Sequence, residues 1–412
     1  MLWIARRNSS KSIWKAVVAC YMSSIVMVLA SSLCRAQAVP VPMAPERWVV
    51  GEKNERIPPG RSLENNGRMV DHGGRRSLKL AKGFAYVRGL DLQNGTIDAD
   101  MAFSTEGDFV GIAFRVQSED EYELFFFRKG ASGSNQALQY TPGFLGANAW
   151  QIYNVPTYAG AGELPPADQW LHVKVVVTGL EAKLFLNNAA EPSLVIPDLK
   201  QGYSTGSIGF WGQSGGGYIS NVTYTPDDKK YDPHPKHDFV NGALTAWELS
   251  EALDAGAQNP GSYPDVHSLK WQKVEAENPG MVVIQRYRRD PNVLPPSDQP
   301  GATASRSLPD RIPGSKFVFA RTSIHSDANE TRKMHIGYSD EVVVYLNGHP
   351  LYAGNNAYHA REEGFLGLIN SDNDVVYLPL RKGDNELVLA VTEFFGGWGF
   401  LCRLEPVTAR PK

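Results

Sequence analysis

The chain has little cysteine. Three occur in 412 residues, Cys20, Cys34 and Cys402, and the first two fall in a leader-like segment. With that segment removed, Cys402 stands alone, so no intramolecular disulfide is available and the fold must rest on core burial. Other absences narrow the chemistry. There is no C-x-x-C, no H-E-x-x-H, no G-x-S-x-G and no phosphate loop, which excludes the common zinc, serine-nucleophile and nucleotide signatures. No long apolar run follows the leader, and neither a coiled coil nor a close internal repeat is visible. Neither sign of charge dominates, with 41 Lys and Arg against 44 Asp and Glu.

What stands at the start has the form of a signal peptide over residues 1–38. Arg6, Arg7, Lys11 and Lys15 precede the apolar run "AVVACYMSSIVMVLASSL", and Ala36-Gln37-Ala38 has the small-x-small form of a cleavage site. The mature chain is therefore expected in the periplasm or outside the cell, without membrane insertion; an uncleaved anchor is the alternative. Cleavage removes five basic residues and no acid, taking the formal charge from −3 to −8. An acidic surface argues against nucleic acid or anionic membranes as partners.

Hydrophobic residues make up 42% and charged residues 21%, a globular profile. Abundant Gly and Pro with frequent Tyr, Phe, Val and Thr imply short strands joined by many turns. The expected fold class is all-β: two antiparallel β-sandwich (jelly-roll) domains. The first covers residues 45–226, with strand-like runs such as "GTIDADMAF", "FVGIAFRV", "YELFFFRK" and "WLHVKVVVTG". Residues 227–238, polar and Pro-rich, read as a linker. The second domain covers 239–405, interrupted by a Pro/Ser-rich surface loop at 288–315.

Strand alternation sorts side chains into faces. In the first domain Ile97, Ala99, Met101 and Phe103 share one face and Asp98 and Asp100 the other. Ile112, Phe114 and Val116 oppose Ala113 and Arg115. Tyr122, Leu124 and Phe126 read as the core set, which leaves Glu123, Phe125 and Phe127 on a second face. Rings beside charges suit a sugar, whose apolar ring face stacks on aromatics while its hydroxyls bond to carboxylates and Arg. Arg115, Phe125, Tyr140 and Trp150 are the expected ligand-binding residues, the last two from or beside the long 138–170 connection. Trp211 reads as core. Glycosidic hydrolysis uses two carboxylates, about 5 Å apart for retention or roughly 6.5–9.5 Å for inversion. Glu123 with Asp98 or Asp100 is the candidate catalytic pair. An adjacent Arg115 would lower the Glu123 pKa, which favours binding over turnover. The sequence assigns no metal and no cofactor.

The order "DFVGIAFRVQSEDEYELFFFR", "ALQY", "WLHVKVVVTGLEAKLFLNN", "GSIGFWG" and "YISNVTY" resembles the concanavalin A-like lectin/glucanase superfamily, especially its laminin-G-like members. More distantly it is similar to the 3-keto-disaccharide hydrolase family, at Arg115, Tyr122-Glu123, Trp170, Asn187 and Asn221. The glucanase pattern E-x-D-x-x-E is missing. The resemblance implies a concave sheet face as the ligand site. "EVVVYLNG" and "KGDNELVLAV" in turn resemble the galactose-binding-like jelly rolls of glycoside hydrolases, and the Asn347-Gly348 pair suits a tight hairpin turn. The resulting expectation is a carbohydrate-binding or carbohydrate-processing accessory protein with an oligosaccharide or polysaccharide as partner. The alternatives are a glycoside hydrolase of the 3-keto-disaccharide hydrolase type and a non-catalytic protein-interaction module with a partner in the cell envelope. Near the end, "FFGGWGF" is expected to close the second core through Phe395, Trp398 and Phe400.

Overall fold

The structure is a computed structural model that describes residues 37–50, 67–289, 315–362, 364–393 and 395–406. Most of the expected leader, most of the 288–315 loop and Phe394 lie outside the described residues. Pro40–Lys412 form one compact unit. It is built almost wholly of antiparallel strands, with one four-residue α-helix, Trp150–Tyr153, among the described residues.

Two sheets face each other in the first half. The first sheet runs Leu194–Ile196, Glu181–Leu186, Leu171–Thr178, Gly95–Phe103, Gly217–Pro226, Arg75–Leu80, Gly67–His72. The second runs Ala147–Asn148, Leu138–Phe144, Glu121–Arg128, Phe109–Ser118, Ser207–Gln213, Gly83–Val87, Trp48–Val50. Their inner faces meet in one buried cluster, where Ile97, Met101, Val173 and Ile219 from the first sheet pack with Ile112, Phe114, Phe125, Phe127 and Phe210 from the second. The second half has a third sheet, with Lys316–Ser326 and Gly383–Glu393 at its centre, and a fourth, ordered Met281–Val283, Gly399–Leu404, Glu330–Ser339, Asp374–Leu380. Trp398, Phe400 and Cys402 are fully buried in the cluster between these two sheets. Asn347 and Gly348 take positive φ at the expected hairpin turn, the conformation these residue types tolerate best.

The phase of the alternation in the second sheet differs from the expectation. Glu123, Phe125 and Phe127 point inward, while Tyr122, Leu124 and Phe126 join Phe84, Ala113 and Val116 in a separate cluster on the outer face. A β-bulge at Arg115 explains part of the difference. Phe114 pairs with Glu123, but the register then slips before Ser118, and Arg115 itself has φ 49°. One extra residue reverses the facing of everything beyond it, so Val116 turns outward and Arg115 inward.

The two halves are closely joined. Met281, Val283, Ile369 and Leu401 of the second half belong to the core of the first. Gln151, fully buried in the short helix, accepts from Ser339 Oγ at 3.1 Å and donates to Leu366 O at 2.7 Å, and its amide donates to Gly396 O at 3.1 Å. Gly396 sits at φ 101°, and a Cβ there would come 2.2 Å from Gln151 Oε1. Only glycine satisfies both the backbone angle and the close approach.

Candidate functional site

The seven residues singled out from the sequence divide among three places. Arg115, Glu123, Phe125 and Tyr140 are buried inside the first half, each no more than 1% exposed. Asp98 and Asp100 lie on the outer face of the first sheet, since Ile97, Ala99 and Met101 between and beside them point inward. Trp150 lies on the outer side of the second sheet, packed against its aromatic cluster. The carboxylate pair is therefore not assembled. Glu123 projects from the second sheet into the interior, and the first sheet's own layer of side chains stands between it and the two aspartates.

Glu123 is held by donors. The Tyr140 hydroxyl donates to its Oε2 at 2.5 Å and the Gln201 amide to its Oε1 at 2.8 Å. Burial pushes its carboxyl up to about 7, against those two hydrogen bonds and the smaller opposing pull of Arg115 and Arg286. The expected lowering by Arg115 is thus outweighed by desolvation. Arg115 works instead as a clamp on three loops. Its Nε donates to Gln93 O at 3.0 Å, Nη1 to Gly202 O at 2.7 Å and Nη2 to Gly179 O at 2.5 Å. The Glu123 side chain is fully buried.

The outer face of the first sheet carries charges that satisfy one another. His172 stands opposite Asp100 in the register; its Nδ1 lies 2.9 Å from Asp100 Oδ1 and its Nε2 3.3 Å from Asp98 Oδ1. Asp100 Oδ2 also accepts from Arg75 Nη1 and Asn221 Nδ2, each at 2.7 Å. The Arg75 guanidinium covers the Trp170 ring at 4.8 Å, and His72 stacks on Tyr218 with ring centroids 3.6 Å apart. Each carboxylate of this cross-strand network already has its donors, while the Trp170 Nε1 donor is buried without a partner.

The outer face of the second sheet is different. Gly111 lies beside Phe126 in one ladder and beside Trp211 in the next, where Leu124 and Phe126 pack closely over it. Rings stand around these packed residues. Trp211 is 6.3 Å from Phe109 and 5.7 Å from Phe126, and Trp211, Phe109 and Trp150 are all part-exposed. Trp150 closes the row from the seam, 6.0 Å from both Tyr358 and Phe395 of the second half. Phe395 therefore packs at this seam rather than in the second core with Trp398 and Phe400. Between Trp150 and Phe109 lies Arg128, its guanidinium carbon 5.9 Å and 5.3 Å from the two ring centroids. Arg128 and Phe109 were not singled out from the sequence as ligand contacts, and Trp211 was assigned to the core. Arg128 does continue the stripe Tyr122, Leu124, Phe126, so a correct phase would have found it.

A cleft of about 250 Å³ opens nearby at the seam, lined by residues that include Tyr153, Tyr158, Glu277, Asn278, Ile369 and Leu401. Its charged wall is already engaged. Glu277 accepts from Tyr153 at 2.5 Å and Arg286 at 2.7 Å, with Lys200 Nζ at 3.3 Å. Burial alone would depress the Lys200 ammonium; Glu277, Tyr158 and Asp198 overcome it and raise the pKa. This network fastens the halves and leaves little polar capacity for a ligand. Among the described residues no group of three or more His, Cys, Asp or Glu could hold a metal ion.

No family model and no curated protein matches the chain. Solved structures match parts of it. The carbohydrate-binding module CBM66 from Bacillus subtilis is 15% identical over 39% of this chain and 92% of its own, with TM-score 0.30. The β-glucanase of Bacillus licheniformis is 11% identical over 46% and 98%, with TM-score 0.31. The galectin LEC-6 of Caenorhabditis elegans is 12% identical over 40% and 99%, with TM-score 0.25.

Proposed function

We propose that this is an exported carbohydrate-binding protein that holds an oligosaccharide or polysaccharide on the outer face of its second sheet without cleaving it. The observation that carries the reading is the row of part-exposed rings, Trp150, Phe109 and Trp211, set around Arg128 over a packed apolar cluster. Aromatic faces accept the apolar face of a sugar ring, and a few convergent polar groups supply orientation. Turnover by Glu123 with Asp98 or Asp100 has less support, because hydrolysis requires both carboxylates within about 10 Å across one bond and these face different compartments of the fold. Export rests on the basic, apolar and A-x-A pattern of residues 1–38.

The test is a broad glycan array on the chain lacking residues 1–38, followed by titration of whatever binds. Trp150→Ala and Trp211→Ala are expected to weaken binding about tenfold or more, while Glu123→Gln leaves it unchanged. Hydrolysis of a bound glycan that disappears in Glu123→Gln would overturn the reading. N-terminal sequencing of exported protein should begin at Val39; a retained Met1 would remove the export claim.

A further inference from the structure

Among the described residues the desolvated guanidiniums are well supplied, with one exception. Arg115 is saturated by loop carbonyls, and Arg286 pairs with Glu277. Arg128 is also largely desolvated, yet the one side-chain hydrogen bond it makes among the described residues is a long contact of 3.5 Å to Gln136 Oε1. That same oxygen already accepts from Asn154 Nδ2 at 2.5 Å. Arg128 Nε is buried without any partner, and the side chain forms no ion pair with a described residue. Asp108, the acid that acts on it electrostatically, has its Oδ1 engaged by the Gly130 amide at 2.6 Å. A partly buried cation without a contacting anion is unfavourable to leave so. Burial accordingly depresses the Arg128 pKa, with Asp108 opposing.

The guanidinium fork lies between two ring faces, Phe109 and Trp150, in the middle of the row described above. We propose that the glycan held there is acidic, and that the carboxylate of a uronic acid residue completes Arg128 while its ring rests on the flanking aromatics. This rests on the glycan-binding reading and specifies its substrate class. The planar fork matches a carboxylate through two parallel hydrogen bonds, which a neutral hydroxyl cannot replace. The formal net charge of the chain is −3, so long-range attraction would not produce this local preference for an anion.

The experiment titrates the mature chain with oligomers of polygalacturonate, alginate and hyaluronan, each beside its methyl ester, which keeps the rings and linkages and removes the charge. Neutral β-glucan and dextran oligomers complete the panel. At least one acid is expected to bind tenfold or more tighter than its ester. Arg128→Gln should erase that preference while keeping the ester's affinity, and Arg128→Lys, which keeps charge but not the fork, should retain part of it. Trp150→Ala should weaken acid and ester alike. Melting curves matching the parent's qualify each variant, and Arg128→Lys serves if Arg128→Gln does not fold. Esters bound as tightly as acids, with both lost in Trp150→Ala, would overturn the inference and leave glycan binding intact. A preference for acid that survives in Arg128→Gln would overturn the assignment to Arg128. Absence of binding across the whole panel would overturn both readings.

Discussion

The two outer faces of the first half handle polar groups in opposite ways. On the first sheet, Asp98, Asp100, His172, Arg75 and Asn221 close into a network in which every charge has an internal answer. On the second, rings dominate and a single guanidinium is left with capacity to bond outward. A concentration of charge is therefore a poor marker of a ligand site here. What distinguishes the second face is that its unsatisfied donor is a cation set between part-exposed rings. Between the two faces lies Glu123, charged by type but enclosed like a core residue.

The comparison can be broken at several points. The largest effect is expected from Phe126→Ala. Its ring is 4% exposed on the second sheet's outer face, so truncation should cost about 3–5 kcal/mol of stability, read from denaturant midpoints. A change within 1 kcal/mol would mean that the outer cluster is not a true core.

Next comes the enclosed carboxylate. Because the Glu123 value in the folded protein, about 7, lies above its ordinary 4.5, the native state binds the extra proton between those limits. The stability this contributes is fully present below about pH 4.5 and is lost as the pH rises through about 7, by about 3 kcal/mol in total. Melting temperatures across that window should fall accordingly, and Glu123→Gln should flatten this component. A wild-type profile superimposable on that of the variant would place Glu123 in contact with water.

The smallest effect belongs to the first sheet. Asp100→Asn keeps a partner for Asn221 but removes the charge opposite His172 and Arg75. With these groups partly exposed, about 1 kcal/mol is expected, shrinking as salt is added. A loss of several kcal/mol, insensitive to salt, would show that this face is desolvated like the interior.

Much of the fold was legible from residue pattern. The short strands, the Asn347-Gly348 hairpin and the buried Trp398, Phe400 and Cys402 all follow from alternation and turn chemistry. The site was less legible because alternation gives two stripes without saying which is inner. In "EYELFFFR" both stripes are apolar, and Glu123 was taken as the sign of solvent. Its stabilisation by Tyr140 and the Gln201 amide comes from residues 17 and 78 positions away, contacts that local sequence does not reveal. The bulge at Arg115 was hidden for a similar reason, since Arg is not a residue type that advertises a positive φ. Trp211 was assigned to the core; the structure puts its neighbour Phe210 inside and Trp211 at the rim.

The contact of Gly396 with Gln151 has a consequence for inheritance and engineering. Trp150 owes its position to a helix of one turn, and that helix is braced by a glycine nearly 250 positions later in the chain. The proposed binding face is thus not a portable module. Moving the first half into another protein would carry over the sheet but not the abutment that sets its last ring, and recombination that exchanged the second half would be tolerated only where that glycine came with it.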